Sequence, residues 1–395
     1  MTDTPRELPR IPRADDDHAD GPVDARRQLI ESAAGRALPH LRGRPVSADE
    51  ARGKVENFVG FAQIPVGIAG PLRVDTSDGV REVYVPMATT EGAMVASYSR
   101  GMRLLSHAGP IRARVLHEGL TQNPVFVYET AEQAARAASR CAEWTPRFED
   151  LVASITSHGK LRSVRPEVVG RRLILRFEFT TADAIGINMA ALATERCSEI
   201  VAEQTQPAHH FVHGQDVEKR ANARALIEGR GRSVVAEGVV PREVLRDRAR
   251  TTPEALVEIL DTYRVGFAQL GTQNWLVQAA NGLAAVFLAC GQDLAYVTES
   301  ATGQLDFHVD PNGDLHATAQ LPSMLVGTVG GGSQQGTARE CLDLLGCSGD
   351  GAARRFTEVL AATVLAGDVS LMAAFCSHEF VDAHERLGRN RPGKS

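Results

Sequence analysis

The chain has 395 residues, of which 43% are hydrophobic and 23% charged, and its formal net charge is −6. This length and apolar content suffice for a large core in two domains, or in one domain with an insertion. The acidic balance and the scattered arginines argue against nucleic-acid binding, so we expect a small-molecule partner. Six cysteines without CxxC pairs and twelve histidines without HExxH spacing predict reduced thiols and no metal site.

The N-terminus is rich in proline and charge and has no apolar run. It predicts neither a signal peptide nor an ordered element, so we interpret residues 1–25 as the disordered leader of a cytoplasmic protein. The longest nearly uncharged apolar segment, 281–291, is far shorter than the roughly 20 residues that cross a bilayer. No membrane span is therefore predicted.

Residues 23–40 have helical apolar spacing, and residues 56–74 form a loop and strand stretch punctuated by proline and glycine. In "PMATTEGAMVAS", Thr89 and Thr90 precede an alanine-rich helical pattern, which predicts Glu91 in the first helical turn. A helix-capping glutamate is the more frequent interpretation of such a residue. A proton donor that faces a cleft is the alternative.

Strand-like and helical stretches alternate from about 112 to 205, which is typical of a small α/β insertion. Within it, "DAIGINM" follows a strand and begins a helix, with Asp183 at its start and Gly186 allowing close backbone approach. This arrangement suits a bound phosphate, but an N-capping aspartate explains it equally well, because neither GxGxxG nor GxxxxGK[ST] is present. The run "TVGGGSQQG" at 328–336 also precedes a helical pattern and indicates a backbone held against another group.

Lysine is scarce: only Lys54, Lys160, Lys219 and Lys394 occur among 43 basic residues. A lysine that remains is a candidate for a role that needs a compact ammonium group in place of a planar guanidinium. The surroundings of the other three predict solvated surface, so Lys219 is the candidate. Asp293 directly follows a long apolar stretch, where either a lysine partner or a helix-capping role would explain a carboxylate.

Seven motifs in one order resemble the 3-hydroxy-3-methylglutaryl-coenzyme A reductase family over roughly residues 50–385: "ENFVGFAQIPVGIAGPL", "PMATTEGAMVAS", "DAIGINM", "IEGRGRSVV", "ACGQD", "GTVGGGSQQG" and "LAGDVSLMAAF". The residues in these motifs resemble more closely the class that contains the eukaryotic catalytic domain. Unlike the eukaryotic forms, this chain is expected to have no membrane anchor. The resemblance implies an α+β fold. A large mixed substrate-binding domain would comprise 26–111 and 206–370, with a small ferredoxin-like cofactor-binding domain, 112–205, inserted. Residues 371–395 would form a C-terminal flap and tail.

The resemblance also implies a reaction, the reduction of hydroxymethylglutaryl-CoA to mevalonate with two NADPH and release of CoA. Glu91 matches the residue that protonates the carbonyl oxygen, and Lys219 matches the lysine that stabilises the oxyanion. Asp293 matches the aspartate that hydrogen-bonds with both, and His384 matches the flap histidine that protonates the departing thiolate. Physical chemistry agrees, because a fixed cation beside a forming oxyanion stabilises the transition state more than the ground state.

Further residues match binding positions of the family. The implied cofactor-binding residues are Arg147, Asp183, Ala184, Ile185, Gly186, Asn188, Gly330, Gly331 and Gly332. The implied substrate-binding residues are Ser97, Arg100, Glu218, Arg220 and Asn281. Arg147 matches a basic position near the adenosine 2′-phosphate and favours NADPH, whereas Glu149 and Asp150 would suit the free ribose of NADH. The three glycines would admit the dinucleotide or allow close packing at a subunit contact.

The resemblance implies a homodimer or higher homo-oligomer, in which the catalytic glutamate comes from a different subunit than the lysine and aspartate. Three residues depart from the family pattern: Glu218 replaces the usual aspartate, Arg220 a second lysine, and Gln278 a histidine. Three functions therefore stay open at this point. The chain reduces hydroxymethylglutaryl-CoA, or it reduces another acyl-CoA or oxidises mevalonate, or it is a catalytically silent paralogue that binds CoA or a dinucleotide.

Overall fold

The computed structural model describes residues 8–14, 19–41, 54, 57, 59 and 61–377. The helices in these residues are α1 (Asp20–Ala34), α2 (Met94–Ser106), α3 (Ala131–Ser139), α4 (Cys141–Ile155), α5 (Ile187–Thr205), α6 (Ala223–Glu228), α7 (Arg242–Val244), α8 (Pro253–Leu270), α9 (Ala279–Ala289), α10 (Val297–Ser300), α11 (Gly336–Leu344) and α12 (Ala352–Cys376). The strands are β1 (Val66–Thr76), β2 (Gly79–Ala88), β3 (Ile111–Gln122), β4 (Val125–Val127), β5 (Lys160–Val169), β6 (Arg172–Thr180), β7 (His209–Phe211), β8 (Gly231–Val240), β9 (Asn274–Trp275), β10 (Gly303–Val309) and β11 (Leu315–Met324). The described residues also contain a π-helical turn, Leu245–Ala249, and two 3-10 turns, Leu294–Tyr296 and Gly331–Gln334.

These strands form one hydrogen-bonded sheet in the order β7-β4-β6-β3-β8-β11-β10-β9, with β1 beside β2 and β3, and β5 beside β6. Strand β3 connects its two parts. Residues 112–119 pair antiparallel with β8, and residues 120–122 pair antiparallel with β6. Mixed helices and strands therefore give the α+β architecture that the resemblance implied, and that prediction is confirmed.

The smaller part of the sheet consists of β4, β5, β6 and β7, which are joined along the chain by α3 and α4, by a hairpin, and by α5. All of its pairings are antiparallel, and the spatial order is β5-β6-β4-β7. This is the strand order of a ferredoxin-like sheet. Its helices cover one face, where the buried side chains of Trp144 and Phe148 on α4 pack with Phe177 on β6.

Helix α12 forms the centre of the larger part and packs against α2, α8, α9 and the sheet. By length and composition it is apolar enough to cross a membrane, yet 83% of its most apolar window is buried inside the protein. The longest apolar segment is therefore α12 and not 281–291, and burial from all sides explains its composition. Gly101 allows α2 to approach closely, because a Cβ at this position would lie 1.7 Å from the Ala366 carbonyl oxygen.

The N-terminal residues correct one prediction. Residues 8–14 are described, and α1 begins at Asp20, so the disordered leader expected at 1–25 is too long. Leu8 and Ile11 pack against a small cluster that contains Tyr84, whose hydroxyl donates a hydrogen bond to the Pro9 carbonyl oxygen. Apolar burial of these two side chains outweighs the prolines and charges on which the prediction rested.

Candidate active site

Lys219 and Asp293 form an ion pair at the surface of the larger part. Lys219 precedes α6, whereas Asp293 follows α9, and the Lys219 Nζ lies 3.0 Å from Asp293 Oδ2. The other carboxylate oxygen, Oδ1, accepts a hydrogen bond of 3.0 Å from the Ala295 backbone N–H and caps a 3-10 turn. Asp293 therefore has both roles that the sequence offered: Oδ2 pairs with a lysine, and Oδ1 caps a helical turn.

Lys219 itself is held in an unusual conformation. Its φ of +58° lies in the left-handed region, which a non-glycine residue adopts at a cost of about 1–2 kcal/mol. Its backbone N–H donates to Glu299, and its Nζ lies 5.0 Å from the centre of the Tyr296 ring. The side chains of Lys219 and Asp293 are 42% and 45% exposed, so the pair faces outward, where a substrate has access.

The two sequence neighbours of Lys219 have different surroundings. Glu218 accepts hydrogen bonds from Gln122 Nε2 at 3.0 Å and Arg230 Nη2 at 3.2 Å. Its side chain therefore belongs to a network inside the protein. Arg220 is exposed and pairs with Asp216 at 3.2 Å. Their roles in substrate binding stay predictions.

Sequence reasoning did not single out Arg230, Tyr296 or Glu299, which surround Lys219. Arg230 and Glu299 are buried, and Arg230 Nη1 lies 3.0 Å from both carboxylate oxygens of Glu299. Desolvation by burial raises the pKa of Glu299 against the opposing effect of Arg230. Arg230 is part of the motif "IEGRGRSVV", so its presence in a motif was a signal that could have identified it.

The two glycine-rich segments lie side by side. The backbone N–H groups of Thr328 and Val329 both donate to the Asp183 carbonyl oxygen, at 2.8 and 3.3 Å. A Cβ on Gly327 would lie 2.7 Å from the Ile185 nitrogen, so a glycine is required where the segments meet. Residues 183–188 and 327–332 therefore form one continuous backbone surface, which we call the loop pair.

The loop pair also contacts the turn that carries Asp293. Gln292 exchanges two hydrogen bonds of 2.9 Å with the backbone of Gly327. A Cβ on Gly332 would lie 2.5 Å from the Gly291 carbonyl oxygen, whereas Gly330 and Gly331 face open space. The three glycines are therefore needed for two reasons. Gly332 permits close backbone packing, whereas Gly330 and Gly331 allow the loop to turn through left-handed φ values of +82° and +57°.

Asp183 differs from its predicted position at the start of the following helix. Helix α5 begins at Ile187, after Gly186 at φ +86°. The Asp183 carboxylate instead accepts hydrogen bonds from the backbone N–H groups of Gly351 at 3.0 Å and Ala353 at 2.8 Å, at the N-terminus of α12. An aspartate there satisfies N–H groups that a helix leaves free. Its carboxylate is therefore occupied, although its backbone still forms part of the loop pair.

Glu91 also differs from its prediction. Helix α2 begins at Met94, after Ala93 at φ +67°, so Glu91 lies in the preceding turn and not in the first helical turn. Thr89 Oγ1 accepts the Glu91 backbone N–H at 3.0 Å, which stabilises this turn. Glu91 is exposed, and among the described residues it shares no hydrogen bond or ion pair with Lys219 or Asp293.

The predicted substrate residues Ser97 and Arg100 contact α12. Ser97 Oγ lies 3.1 Å from Ser370 Oγ, and Arg100 donates to the Ser370 hydroxyl at 3.0 Å and to its carbonyl oxygen at 2.7 Å. Asn281 is exposed in the first turn of α9, whereas Asp293 follows the end of this helix. Eleven helical residues span about 16 Å, so Asn281 and Asp293 lie at opposite ends of α9.

Three further predictions concern the remaining positions. Arg147 and Asn188 are exposed, on α4 and in the first turn of α5. His384 lies outside the described residues. Within the described ranges, no group of three or more histidine, cysteine, aspartate or glutamate side chains is arranged to hold a metal ion.

The site thus combines an ammonium–carboxylate pair with a loop pair in which Gly330 and Gly331 face open space, an arrangement compatible with the class of oxidoreductases that reduce a carbonyl group. A family model described as hydroxymethylglutaryl-coenzyme A reductase matches residues 22–389. The chain belongs to the hydroxymethylglutaryl-coenzyme A reductase family, as the seven motifs predicted.

Individual relatives agree with this family. The 3-hydroxy-3-methylglutaryl-coenzyme A reductase of Pyrococcus abyssi is 39% identical and aligns with 93% of this chain and 92% of its own length. The protein of the same name from Xenopus laevis is 35% identical over 85% of this chain and 39% of its own. A class II enzyme of Streptococcus pneumoniae, solved with NADPH, superposes with a TM-score of 0.74 at 20% identity, covering 89% of this chain and 96% of that one. This last likeness shows the fold alone.

Proposed function

We propose that this chain reduces 3-hydroxy-3-methylglutaryl-CoA to mevalonate with two NADPH and releases CoA, as a cytoplasmic enzyme. The observation that carries the proposal is the Lys219–Asp293 ion pair, which lies one residue from the contact between Gln292 and the loop pair. A cation for the developing oxyanion is thus adjacent to a surface suited to a dinucleotide.

The loop pair fits the cofactor for a second reason. Helix α5 has 19 residues, and within the described part of the chain no side chain caps its N-terminus at Gly186. Free N–H groups and the positive end of the helix dipole favour a bound phosphate at this point. Residues 184–188 and 330–332 would hold the dinucleotide, and Arg147 would contact the 2′-phosphate. NADPH supplies a hydride for each of the two reductions.

The side chains of this chain then carry the protons and charges. As the thioester carbonyl is reduced, its oxygen becomes negative, and the Lys219 ammonium stabilises this oxyanion while Glu91 supplies the proton. As the carbon–sulfur bond of the resulting hemithioacetal breaks, its hydroxyl proton returns to Glu91 and the aldehyde forms, while His384 protonates the departing CoA thiolate. Glu91 donates the proton again in the second reduction. Asp293 holds the Lys219 ammonium during both steps, and the second reduction turns the aldehyde into the alcohol of mevalonate.

The arrangement of the chain supports a shared site in a homo-oligomer. Glu91 shares no contact with Lys219 or Asp293 among the described residues, and Asn281 lies at the far end of α9 from Asp293. The side chains of Phe61, Ile64 and Val66 are 43%, 38% and 36% exposed, which provides an apolar segment for a second copy to cover. A dimer would bring Glu91 of one chain to Lys219 of another.

The proposed function is tested by following the absorbance of NADPH with hydroxymethylglutaryl-CoA, with other acyl-CoAs, and with NADH replacing NADPH. We expect two NADPH to be oxidised for each CoA released, and the rate with NADH to be lower. Faster turnover of another acyl-CoA would assign the second function that the substitutions at Glu218 and Arg220 leave open. Binding of CoA without turnover of any substrate would identify a silent paralogue and refute the proposal.

A further inference from the structure

We propose that Glu299 is a positioning residue that fixes the backbone of Lys219 and so aims the ammonium group at the reacting oxygen. The inference rests on the proposed function, since it concerns how Lys219 is held for that reaction.

One short segment makes three contacts with Lys219. Asp293, Tyr296 and Glu299 follow one another at intervals of three residues, across a 3-10 turn and α10, so a helical period directs them to the same side. Asp293 pairs with the Nζ, the Tyr296 ring lies 5.0 Å from the Nζ, and Glu299 accepts the backbone N–H. One short segment, 293–299, therefore contacts both the backbone and the ammonium group of Lys219.

Glu299 is suited to this role because burial and the Arg230 guanidinium restrict its side chain. It is fully buried, and both of its carboxylate oxygens lie 3.0 Å from Arg230 Nη1. Arg230 Nε in turn donates to the Thr121 carbonyl oxygen at 3.2 Å, which ties the pair to β3. The acceptor of the Lys219 N–H is thus anchored to the central sheet.

The same guanidinium also holds the residue before Lys219. Arg230 Nη2 donates to Glu218 Oε1 at 3.2 Å, and the Tyr296 hydroxyl lies 3.4 Å from Glu218 Oε2. Glu218 and Lys219 are therefore attached to the two partners of one buried ion pair, Glu218 to Arg230 and Lys219 to Glu299. This double attachment explains how Lys219 keeps φ +58°, a conformation that persists only where its surroundings determine it.

A purely structural ion pair is the competing explanation for Glu299 and Arg230. Such a pair would stabilise the fold, and its loss would lower the amount of folded enzyme without changing the chemistry of the folded molecules. The two explanations differ in whether the effect of Glu299 passes through Lys219. A matched control variant and a double-mutant cycle distinguish the two explanations.

The control is Glu358, another fully buried glutamate, whose carboxylate accepts the backbone N–H groups of Ser77 at 3.0 Å and Val115 at 3.2 Å. We expect Glu299→Gln to lower kcat for hydroxymethylglutaryl-CoA by about 100-fold, as for a displaced catalytic group, with the KM for NADPH within about twofold of wild type. Glu358→Gln should keep kcat per folded molecule. An equal kcat for both variants would overturn the proposal.

The cycle adds Glu299→Gln to a Lys219→Ala background. If Glu299 acts through Lys219, the second change lowers the residual rate no further, because the group it positions is already gone. Losses that multiply in the double variant would show that Glu299 acts independently, and the proposal would then be wrong.

A spectroscopic measurement does not depend on activity. The chain contains only four lysines, so side-chain labelling with carbon-13 and nitrogen-15 gives four lysine signals, and Lys219→Arg identifies the one from Lys219. We expect Glu299→Gln to shift the Lys219 signal and Glu358→Gln to leave it in place. An unchanged signal in Glu299→Gln would contradict the proposal.

Two precautions keep the test decisive. If Glu299→Gln does not fold, Glu299→Asp serves in its place, because it keeps the charge opposite Arg230 but withdraws the carboxylate from the Lys219 N–H, and the same shift is expected. If the wild-type chain does not reduce hydroxymethylglutaryl-CoA, the proposed function fails, while the lysine spectrum still decides whether Glu299 positions Lys219.

Discussion

The ammonium group of Lys219 lies between a carboxylate and an aromatic ring, on a backbone that few non-glycine residues adopt. Each of these features restricts the side chain to one place. A transition state benefits from a charge that is already in position, since no reorganisation is then needed as the oxyanion forms. In the proposed mechanism, the rate of reduction therefore depends on the position of the Lys219 Nζ atom.

Lys219→Arg tests this dependence. Arginine keeps the charge, but its planar head is wider and cannot occupy the same point beside both the carbonyl oxygen and Asp293. Since the loss of one preorganised oxyanion contact costs about 100- to 1000-fold in turnover, we expect at least a 100-fold fall in kcat with folding and NADPH binding intact. Steady-state kinetics measure kcat and the KM for NADPH, and thermal unfolding shows whether the variant is folded.

Lys160, an exposed residue at the start of β5, provides the matched control. Lys160→Arg should have the wild-type rate, because arginine replaces a solvated lysine with a change in stability usually within about 0.5 kcal/mol. If Lys219→Arg reduced the thioester as fast as Lys160→Arg, the catalytic assignment of Lys219 would have to be abandoned.

At the scale of secondary-structure elements, α12 determines where α9 begins. The Asp368 carboxylate of α12 accepts the backbone N–H groups of Val277 at 3.1 Å and Gln278 at 2.8 Å, directly before α9. Burial raises the pKa of Asp368 to about 7, although these two hydrogen bonds act in the opposite direction. Because α9 has Asn281 in its first turn, the hydrogen bonds from Asp368 fix the start of α9, and with it Asn281, against α12.

The raised pKa of Asp368 predicts a stability that depends on pH. The folded chain keeps the Asp368 proton up to about pH 7, whereas the unfolded chain loses it near the ordinary value of 3.8. The contribution to the free energy of unfolding is therefore fully present below pH 3.8 and is lost as the pH rises to about 7, by at most about 1.4 kcal/mol per pH unit.

Asp368→Asn removes this ionisation. Urea unfolding of both proteins at several pH values between 4 and 8 gives the difference in their free energies of unfolding. We expect the advantage of the wild type over Asp368→Asn to decline across this window and then to level off. Parallel curves would mean that Asp368 does not titrate between the two states.

At the scale of the whole molecule, the predicted site residues form two groups that lie apart in one chain. Lys219 and Asp293 adjoin the loop pair, whereas Ser97 and Arg100 contact α12, and Asn281 lies at the start of α9. A symmetric dimer would combine the first group of one subunit with the second group of its partner. Each subunit would then be inactive without the other.

Complementation between two inactive variants tests this arrangement. We expect Glu91→Gln and Lys219→Ala to be nearly inactive alone. When the two variants are co-expressed with different tags and assemble at random, about half of the dimers contain one copy of each. In such a mixed dimer one of the two sites has both residues intact, so about one quarter of the wild-type rate should return. A mixture of Lys219→Ala with Asp293→Ala should recover nothing, because both changes affect the same group. Failure of the first mixture would place the whole site within one subunit.

The sequence by itself predicts the family, because the seven motifs depend only on residue type and spacing. It also makes Lys219 and Asp293 candidates, because lysine is scarce and Asp293 directly follows a long apolar stretch. The alternation of strands and helices within about 90 residues predicted a small α/β unit there, and the resemblance to the family implied its ferredoxin-like form.

Other features depend on contacts between distant parts of the chain, which local patterns do not contain. Asp183 caps a helix that begins about 170 residues later. Leu8 and Ile11 pack beside Tyr84. The Lys219 backbone N–H donates a hydrogen bond to Glu299, 80 residues away. A side chain that looks like a ligand for a phosphate or a substrate can be satisfied by a backbone N–H group of any element that packs against it. Which element that is depends on how α12 and the shared strand β3 bring the two parts of the sheet together, and so on the burial of the whole core.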